Sequence, residues 1–384
     1  MDISYDKNTK EYVLGNTRYS KRAFIQYIES EMLQSALYND SGSFTVQNTQ
    51  NQINYVTNYS NNEFNFNRII FGAPGTGKSY KLNLDKDKLL SNGGNYERVT
   101  FHPDYSYANF VGTYKPVPTK DVNGDDIITY EYVPGPFMRT LVKALESSKS
   151  STPTPHLLII EEINRANVAS VFGDVFQLLD RDDNGVSEYP IHATEDMKKY
   201  LCNKLGGETS DYSELKIPNN MFIWATMNSA DQGVFPMDTA FKRRWDFTYI
   251  GINDNDSKIQ GNTVVVGSDV KQKVEWNKLR KAINEYLAAQ NINEDKQLGP
   301  YFISRNIIVP SSGNEIDKKK FADIFKNKVI MYLYEDAARQ KRNNLFQGCG
   351  KQNVRYSEVC EQFDKIGLEI FEKSIFDNSE AHYI

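Results

Sequence analysis

Four runs of apolar residues, each closed by polar or turn-forming positions, organise the middle of this chain: RIIFG (68–72), YERVTF (96–101), HLLIIEE (156–162) and NMFIWATMN (220–228). Most are apolar along their whole length rather than alternating, as expected for parallel strands buried on both faces. Helical spacing fills the gaps. In NRANVASVFGDVFQLLD, Val168, Val171, Phe172, Val175 and Leu179 recur at three- and four-residue steps and predict one amphipathic helix. A helix is expected near 136–146, and a short one starting near Asp238. Strand and helix signals alternating over 63–250 predict the α/β class, a parallel sheet with helices on both faces.

The flanks read differently. WNKLRKAINEYLAAQ (276–290), FADIFKNKVIMYLYEDAARQ (321–340) and YSEVCEQFDKIGLEIFEK (356–373) carry helical periodicity, interrupted by GPYFISRNIIVP (299–310). They predict a smaller helical domain beside the α/β core. Near the N-terminus, Phe24, Tyr27, Ile28, Met32 and Leu33 share a face of a helix over 22–37, and a tract rich in Asn, Gln, Ser and Thr follows. The expected division is a short helical and linker element over 1–65, a nucleotide-binding core over 66–250 and a helical lid domain over 251–384. The 384 residues suit two or three domains.

Composition narrows the class. The formal net charge of −5 gives no overall basic field for nucleic acid. Cys202, Cys349 and Cys360 form neither a C-x-x-C pair nor an even set for a disulfide framework, so a reduced, cytoplasmic setting is expected. The N-terminal MDISYDKNTK lacks the regions of a signal peptide. No apolar run approaches the roughly 18 residues of a membrane helix, so no membrane role is expected.

The densest chemical signal is IIFGAPGTGKS (69–79), a strand running into G-x-x-x-x-G-K-S. Gly72, Gly75 and Gly77 let the backbone curl and point its N–H groups inward, and a helix N-terminus follows, so the loop is an anion cradle. Gly72, Ala73, Pro74, Gly75, Thr76, Gly77, Lys78, Ser79 and Tyr80 form the expected nucleotide-binding set. Lys78 reaches the β and γ phosphates, and the Ser79 hydroxyl ligates Mg²⁺.

The third strand ends in Glu161 and Glu162. Parallel strands present their C-terminal ends on one edge, so both acids can face the same ligand as the loop. Glu161 is the expected contact to Mg²⁺, direct or through water, and Glu162 the general base that polarises the attacking water. Asn228 ends the next strand, where its amide can orient that water or touch the γ phosphate. Asp231 lies three residues on and can cap a turn or hold an arginine. Arg243 and Arg244 close the short helix after Asp238. Either or both can project to a neighbouring subunit's γ phosphate, a task that suits a guanidinium fork.

Taken together, GAPGTGKS, FHPDYSYANFVGTYKP, LLIIEEINRANVASVFGDVFQLLD and IPNNMFIWATMNSADQGVFPMDTAFKRRWDF resemble the AAA+ module of McrB-type proteins over about residues 66–250. The resemblance implies an AAA+ P-loop NTPase core followed by a helical lid. It implies hydrolysis of ATP or GTP with Mg²⁺, a homo-oligomeric, hexameric ring, and a separate McrC-type nuclease subunit through which the complex meets DNA. It assigns Gly72 to Ser79 as Walker A, Glu161–Glu162 as Walker B, Asn164 and Arg165 to an EINR signature, and Met227, Asn228 and Asp231 to an MN-x-x-D-R signature. Gln232 stands where the family has arginine, and Glu161 where it has aspartate. Residues 1–65 are few for the family's DNA-reading domain, so modified-base recognition is expected in a partner. A related AAA+ remodelling ATPase acting on a protein is the alternative.

Two inserted segments carry turn signals at Asn123-Gly124 and Asn184-Gly185. Insertions here face the pore in ring ATPases, which makes Tyr114, Lys115 and Tyr130 candidate partner contacts. His102 and His192 have no histidine at metal-ligand spacing and are expected to be structural.

Overall fold

The computed structural model describes residues 3–6, 11–14, 17–19, 53–60, 63–120, 124–228 and 234–384. The chain divides into two units, residues 1–52 and 53–384. The described part of the first unit is an antiparallel meander of β1 (Ile3–Asp6), β2 (Glu11–Leu14) and β3 (Thr17–Tyr19), with Ile3 opposite Leu14 and Tyr12 opposite Tyr19. The helix expected over 22–37 lies outside the described residues.

The second unit is built on a five-stranded parallel sheet. Its strands are β4 (Asn67–Gly72), β5 (Asn95–Thr100), β8 (His156–Glu161), β11 (Met221–Asn228) and β12 (Asp246–Tyr249), in the order β12-β4-β11-β8-β5. Alternate side chains go to opposite faces. Ile69, Leu158, Ile160, Ile223 and Ala225 pack against Phe137, Leu141 and Leu145 of α2 (Pro136–Ser148) and Val171 of α3 (Val168–Phe172). Ile70, Leu157, Ile159, Phe222 and Trp224 pack against Leu82 and Leu89 of α1 (Lys78–Leu89). Each fully buried side chain of this size stabilises the fold by about 1.5–3 kcal/mol. Both faces being covered is the reason the central strands read as unbroken apolar runs.

One charged side chain crosses the second face. Arg68 of β4 is buried, pairs with Asp85 of α1 at 2.8 Å, and stacks over the Trp224 ring at 4.4 Å. Its charge is thus paired within the protein, as burial of an ion requires.

Between β5 and α2 stands a long hairpin of β6 (Gly112–Lys120) and β7 (Asp126–Pro134). A small pair, β9 (Ile191–His192) with β10 (Glu214–Leu215), sits in the insertion before β11. At the second turn signal, Gly185 donates its N–H to the Asp182 carbonyl, and Arg181 bridges to Ser187.

The expected helix over NRANVASVFGDVFQLLD is broken. After α3, Gly173 takes φ +52°, and a tighter 3₁₀ stretch runs from Gly173 to Leu179. A side chain at Gly173 would lie 2.8 Å from Tyr107, so the ring packs directly on the backbone. A left-handed residue ends an α-helix, whatever the apolar spacing beyond it. The last expected helix breaks in the same way at Gly367, φ +60°, leaving Tyr356–Ile366 and a 3₁₀ turn Gly367–Ile370.

The C-terminal region has its own apolar cluster, centred on Trp276, Ile283 and Leu287 of α5 (Trp276–Ala289) with Phe321, Phe325 and Phe363. The stretch expected as one helix over 321–340 contains two widened π-helical segments, Phe325–Ile330 and Leu333–Ala337. The region also holds an antiparallel sheet that the periodicity does not predict: β13 (Thr263–Val266), β14 (Gln272–Glu275) and β15 (His382–Tyr383), in that order. Strands of two to four residues are too short for a period of two to register.

Candidate phosphate-binding and hydrolytic site

The parallel register delivers the candidate residues to one edge of the sheet. Asn228 lies opposite Gly72, Ile160 opposite Ala225, and Glu161 opposite Thr100. The glycine loop, the paired acids and the asparagine therefore leave the C-terminal ends of neighbouring strands together.

The loop from Gly72 to Gly77 is curled by Gly75 and Gly77, with φ of +78° and +93°, which side-chain-bearing residues adopt at a cost. Lys78 opens α1, and its Nζ donates to the carbonyls of Gly72 and Ala73 at 3.0 and 2.9 Å. The ammonium thus lies over the loop. Thr76 donates its hydroxyl back to the Ala73 carbonyl at 3.0 Å. Tyr80, on the exposed side of α1, meets Lys258, whose Nζ lies 3.3 Å from its hydroxyl.

Glu161 is the hub between loop and sheet. One carboxylate oxygen accepts from Ser79 Oγ at 3.3 Å and from the Thr226 hydroxyl. The other pairs with the Arg98 guanidinium at 2.7 Å. No local sequence pattern marks Arg98 or Thr226 as partners of Glu161. Arg98 stands beside Glu97 in the second strand, and only the pairing of that strand with β8 brings it to Glu161. Ser79 and Glu161 offer hard oxygen donors side by side, a set that fits Mg²⁺, which takes few protein ligands and completes its shell with phosphate and water. Among the described residues, no group of three or more His, Cys, Asp or Glu offers a fully protein-made metal cage, and His102 packs edge-on to Tyr105.

Glu162 has φ 55°, ψ 49°, a left-handed conformation uncommon for a residue with a Cβ. The reversal sends Ile163 into the core and turns the Glu162 carboxylate towards β11. There Asn228 Nδ2 donates to Glu162 Oε1 at 2.9 Å, while Arg165 Nε lies 3.7 Å from the other oxygen. The Thr226 hydroxyl also accepts the Glu162 N–H at 3.3 Å, so one buried threonine touches both acids. Asn164 fastens the strand end by donating to the Asn228 carbonyl at 2.8 Å. Asp231 and Gln232 lie outside the described residues.

Arg243 and Arg244 sit elsewhere. They follow α4 (Thr239–Lys242), which Asp238 caps by accepting the Phe241 N–H, and they precede β12. Asp246 pairs with Arg68 and Tyr249 with Phe71, so the arginines lie beyond the N-terminal end of β4, while the phosphate loop leaves its C-terminal end. Strand geometry separates the two ends by about 20 Å. The two arginines are not equivalent. Arg244 is fixed by Asp180 at 2.7 Å, by the Ala240 carbonyl at 2.8 Å and by stacking over Phe176 at 4.1 Å. Arg243 is exposed, and both arginines line a cleft of about 510 Å³.

The hairpin of β6 and β7 presents a separate apolar face. Tyr114 and Tyr130 are diagonal neighbours with ring centroids 6.3 Å apart, and they are 53% and 64% exposed. Ile128 near the tip is 70% exposed. Lys115 lies opposite Glu131.

Residues 67–245 match the family described as AAA domain (dynein-related subfamily). Over 318 residues the chain is 41% identical to the type II restriction enzyme BsuMI component YdiS of Bacillus subtilis (strain 168), covering 78% of this chain and 85% of that protein. Over 189 residues it is 30% identical to the type IV methyl-directed restriction enzyme EcoKMcrB subunit of Escherichia coli (strain K12), covering 47% of this chain and 34% of that one. The match thus takes in about a third of the Escherichia coli subunit. Among the described residues, no helix is long and apolar enough to cross a membrane.

Proposed function

The chain belongs to the AAA+ ATPase family of McrB-type restriction-system subunits, and we propose that it is the ring-forming nucleotide-hydrolysing motor of such a system. On this reading residues 66–250 are the motor core and 251–384 its lid. The observation that carries the proposal is the meeting of Lys78, Ser79, Glu161, Glu162 and Asn228 at one sheet edge, with the Asn228 amide on the Glu162 carboxylate at 2.9 Å.

Each residue has a role that its present contacts support. The loop N–H groups and the α1 N-terminus receive the phosphates of ATP or GTP. Lys78 exchanges the Gly72 and Ala73 carbonyls for phosphate oxygens. Ser79 and Glu161 hold Mg²⁺, which when bound neutralises charge on the β and γ phosphates. Arg98 balances the Glu161 charge in its absence. Glu162 takes a proton from the attacking water, and Asn228, already bonded to Glu162, fixes the direction of its carboxylate.

Arg243, and Arg244 if it leaves Asp180, acts on the nucleotide of an adjacent subunit. The separation of about 20 Å along β4 puts a subunit's own nucleotide out of reach of its own arginines. This supports a ring, with a hexamer as the expected closure. The exposed tyrosine pair of the hairpin, with Lys115, supports docking of a protein partner, proposed as a McrC-type nuclease subunit that carries the contact to DNA. Phosphate release from ATP and from GTP, with and without that partner, tests the proposal. Partner-stimulated turnover of either nucleotide is expected. A chain that binds nucleotide yet hydrolyses neither in the assembled state would sink it.

A further inference from the structure

A phosphate-binding loop works by turning its N–H groups inward, which obliges its carbonyls to face outward and find donors there. In this chain three successive loop carbonyls find them in the C-terminal region. The Pro74 carbonyl accepts from the Gly299 N–H at 2.9 Å, and the Gly75 carbonyl from the Tyr301 N–H at 2.8 Å. The Thr76 carbonyl accepts from Asn255 Nδ2 at 2.8 Å. The first two contacts are backbone against backbone. A side chain at Gly299 would meet the Gly75 carbonyl carbon at 2.3 Å, and one at Gly75 would meet the Phe302 nitrogen at 2.4 Å.

Two segments therefore brace the loop, the one carrying Asn255 and the one running from Leu298 to Phe302. Both are tied to a single side chain. Arg280 of α5 is fully buried, and burial lowers its pKa to about 10, partly offset by Asp256. Its Nη1 donates to the carbonyls of Ile252 and Leu298 at 3.2 and 3.0 Å, and its Nη2 to Asn253 Oδ1 at 2.7 Å. Asn277 holds the guanidinium by accepting from Nε and Nη2. Asn284 adds a second grip on Leu298, one hydrogen bond in each direction. Leu298 directly precedes Gly299, and Asn253 lies two residues before Asn255.

We propose that Arg280 is a positioning residue for nucleotide binding. It fixes both braces at once, the braces pin the carbonyls of Pro74, Gly75 and Thr76 outward, and the loop's N–H groups are thereby preorganised for phosphate. The hydrogen bonds of Arg280 go to the braces and to Asn277, not to the loop, so it acts through the braces. Lysine cannot replace it, because one ammonium cannot span Ile252, Asn253 and Leu298 in a fork.

The inference rests on the proposed nucleotide binding, and equilibrium titration with fluorescent mant-ATP and mant-GTP separates the two. The variants are Arg280→Lys, Arg280→Met and Asn255→Ala, each with its melting temperature recorded without nucleotide. Arg280→Lys and Asn255→Ala are each expected to weaken binding about tenfold, the scale of one or two hydrogen bonds of this kind. KM should rise in step, with kcat at saturation held within about twofold. The double variant should lose less than the product of the two losses, because both act on the same carbonyl anchors. Arg280→Met removes every hydrogen bond of the guanidinium and leaves only the Asn284 grip on Leu298. Should it fail to fold, the other two variants decide. Variants that melt earlier yet bind as wild type would make Arg280 merely structural and overturn the inference alone. Failure of the wild-type chain to bind either nucleotide would overturn the motor reading and this inference with it.

Discussion

Asn228 donates its side-chain amide to Glu162 Oε1 at 2.9 Å, across two neighbouring parallel strands. The bond sets the direction of a carboxylate whose backbone is already reversed at φ 55°. Glu162→Gln should therefore keep nucleotide affinity and lose turnover by at least about 100-fold, the scale of a missing general base. Asn228→Ala leaves the base intact but unaimed, and a loss of about 10- to 100-fold is expected. Steady-state phosphate release beside equilibrium binding checks both. Unchanged turnover in Glu162→Gln would remove it from the mechanism.

Lys78→Ala should fail earlier in the cycle. Its ammonium lies over the loop on the Gly72 and Ala73 carbonyls. Its removal should weaken binding itself, read by titration with a fluorescent nucleotide rather than by rate.

The two arginines should separate by phenotype. Arg244→Ala strips Asp180 of its partner at a site where the two side chains are 10% and 23% exposed, and a loss of about 1–3 kcal/mol of stability is expected. Arg243 is exposed, so Arg243→Ala should stay within about 0.5 kcal/mol of wild type while lowering assembled turnover at least about 100-fold. Denaturant unfolding and phosphate release distinguish the cases. Mixing Arg243→Ala with Glu162→Gln should restore part of the activity, because some mixed interfaces join an intact base to an intact arginine. Co-assembled rings with no recovery would argue against action between subunits.

His156 gives the fold a dependence on acid. Burial keeps its imidazole neutral and lowers its pKa from 6.5 to about 4, with Lys143 adding to the effect. The unfolded chain takes up the proton near pH 6.5, and the folded chain only near 4. The contribution is therefore whole above about pH 6.5 and is lost as pH falls towards 4, on the order of 2–3 kcal/mol across that window. Urea midpoints at pH 7.5 and 5 should diverge for wild type and converge in His156→Gln. Equal pH sensitivity in both would assign the effect to other groups.

Replacing Tyr114 and Tyr130 together with alanine should lower partner-stimulated hydrolysis while the melting temperature holds, since both rings are more than half exposed. Stimulation equal to wild type would move the docking surface off the hairpin.

What the sequence discloses follows from locality. The loop from Gly72 to Ser79, the acids after HLLII and the asparagine after WATM are each written within one strand and its turn. The parallel register then brings them together, as that class of fold requires. Arg98 on Glu161, Thr226 between both acids, and Asn255, Gly299 and Tyr301 on the loop are set by pairings between distant segments, and no local pattern marks them. Gly173 and Gly367 cut helices whose apolar spacing continues past the break, because periodicity registers side chains and not backbone handedness. The sheet of β13 to β15 escapes for want of length.

The placement of Arg243 and the phosphate loop at opposite ends of β4 has an arithmetic consequence. On the proposed trans geometry, every molecule brings the front of one catalytic centre and the back of another. An open row of subunits always leaves one incomplete centre at each end, and only closure removes both. Turnover per molecule should then climb with protein concentration and level off once the row meets itself, so dilution alone would act as an off-switch.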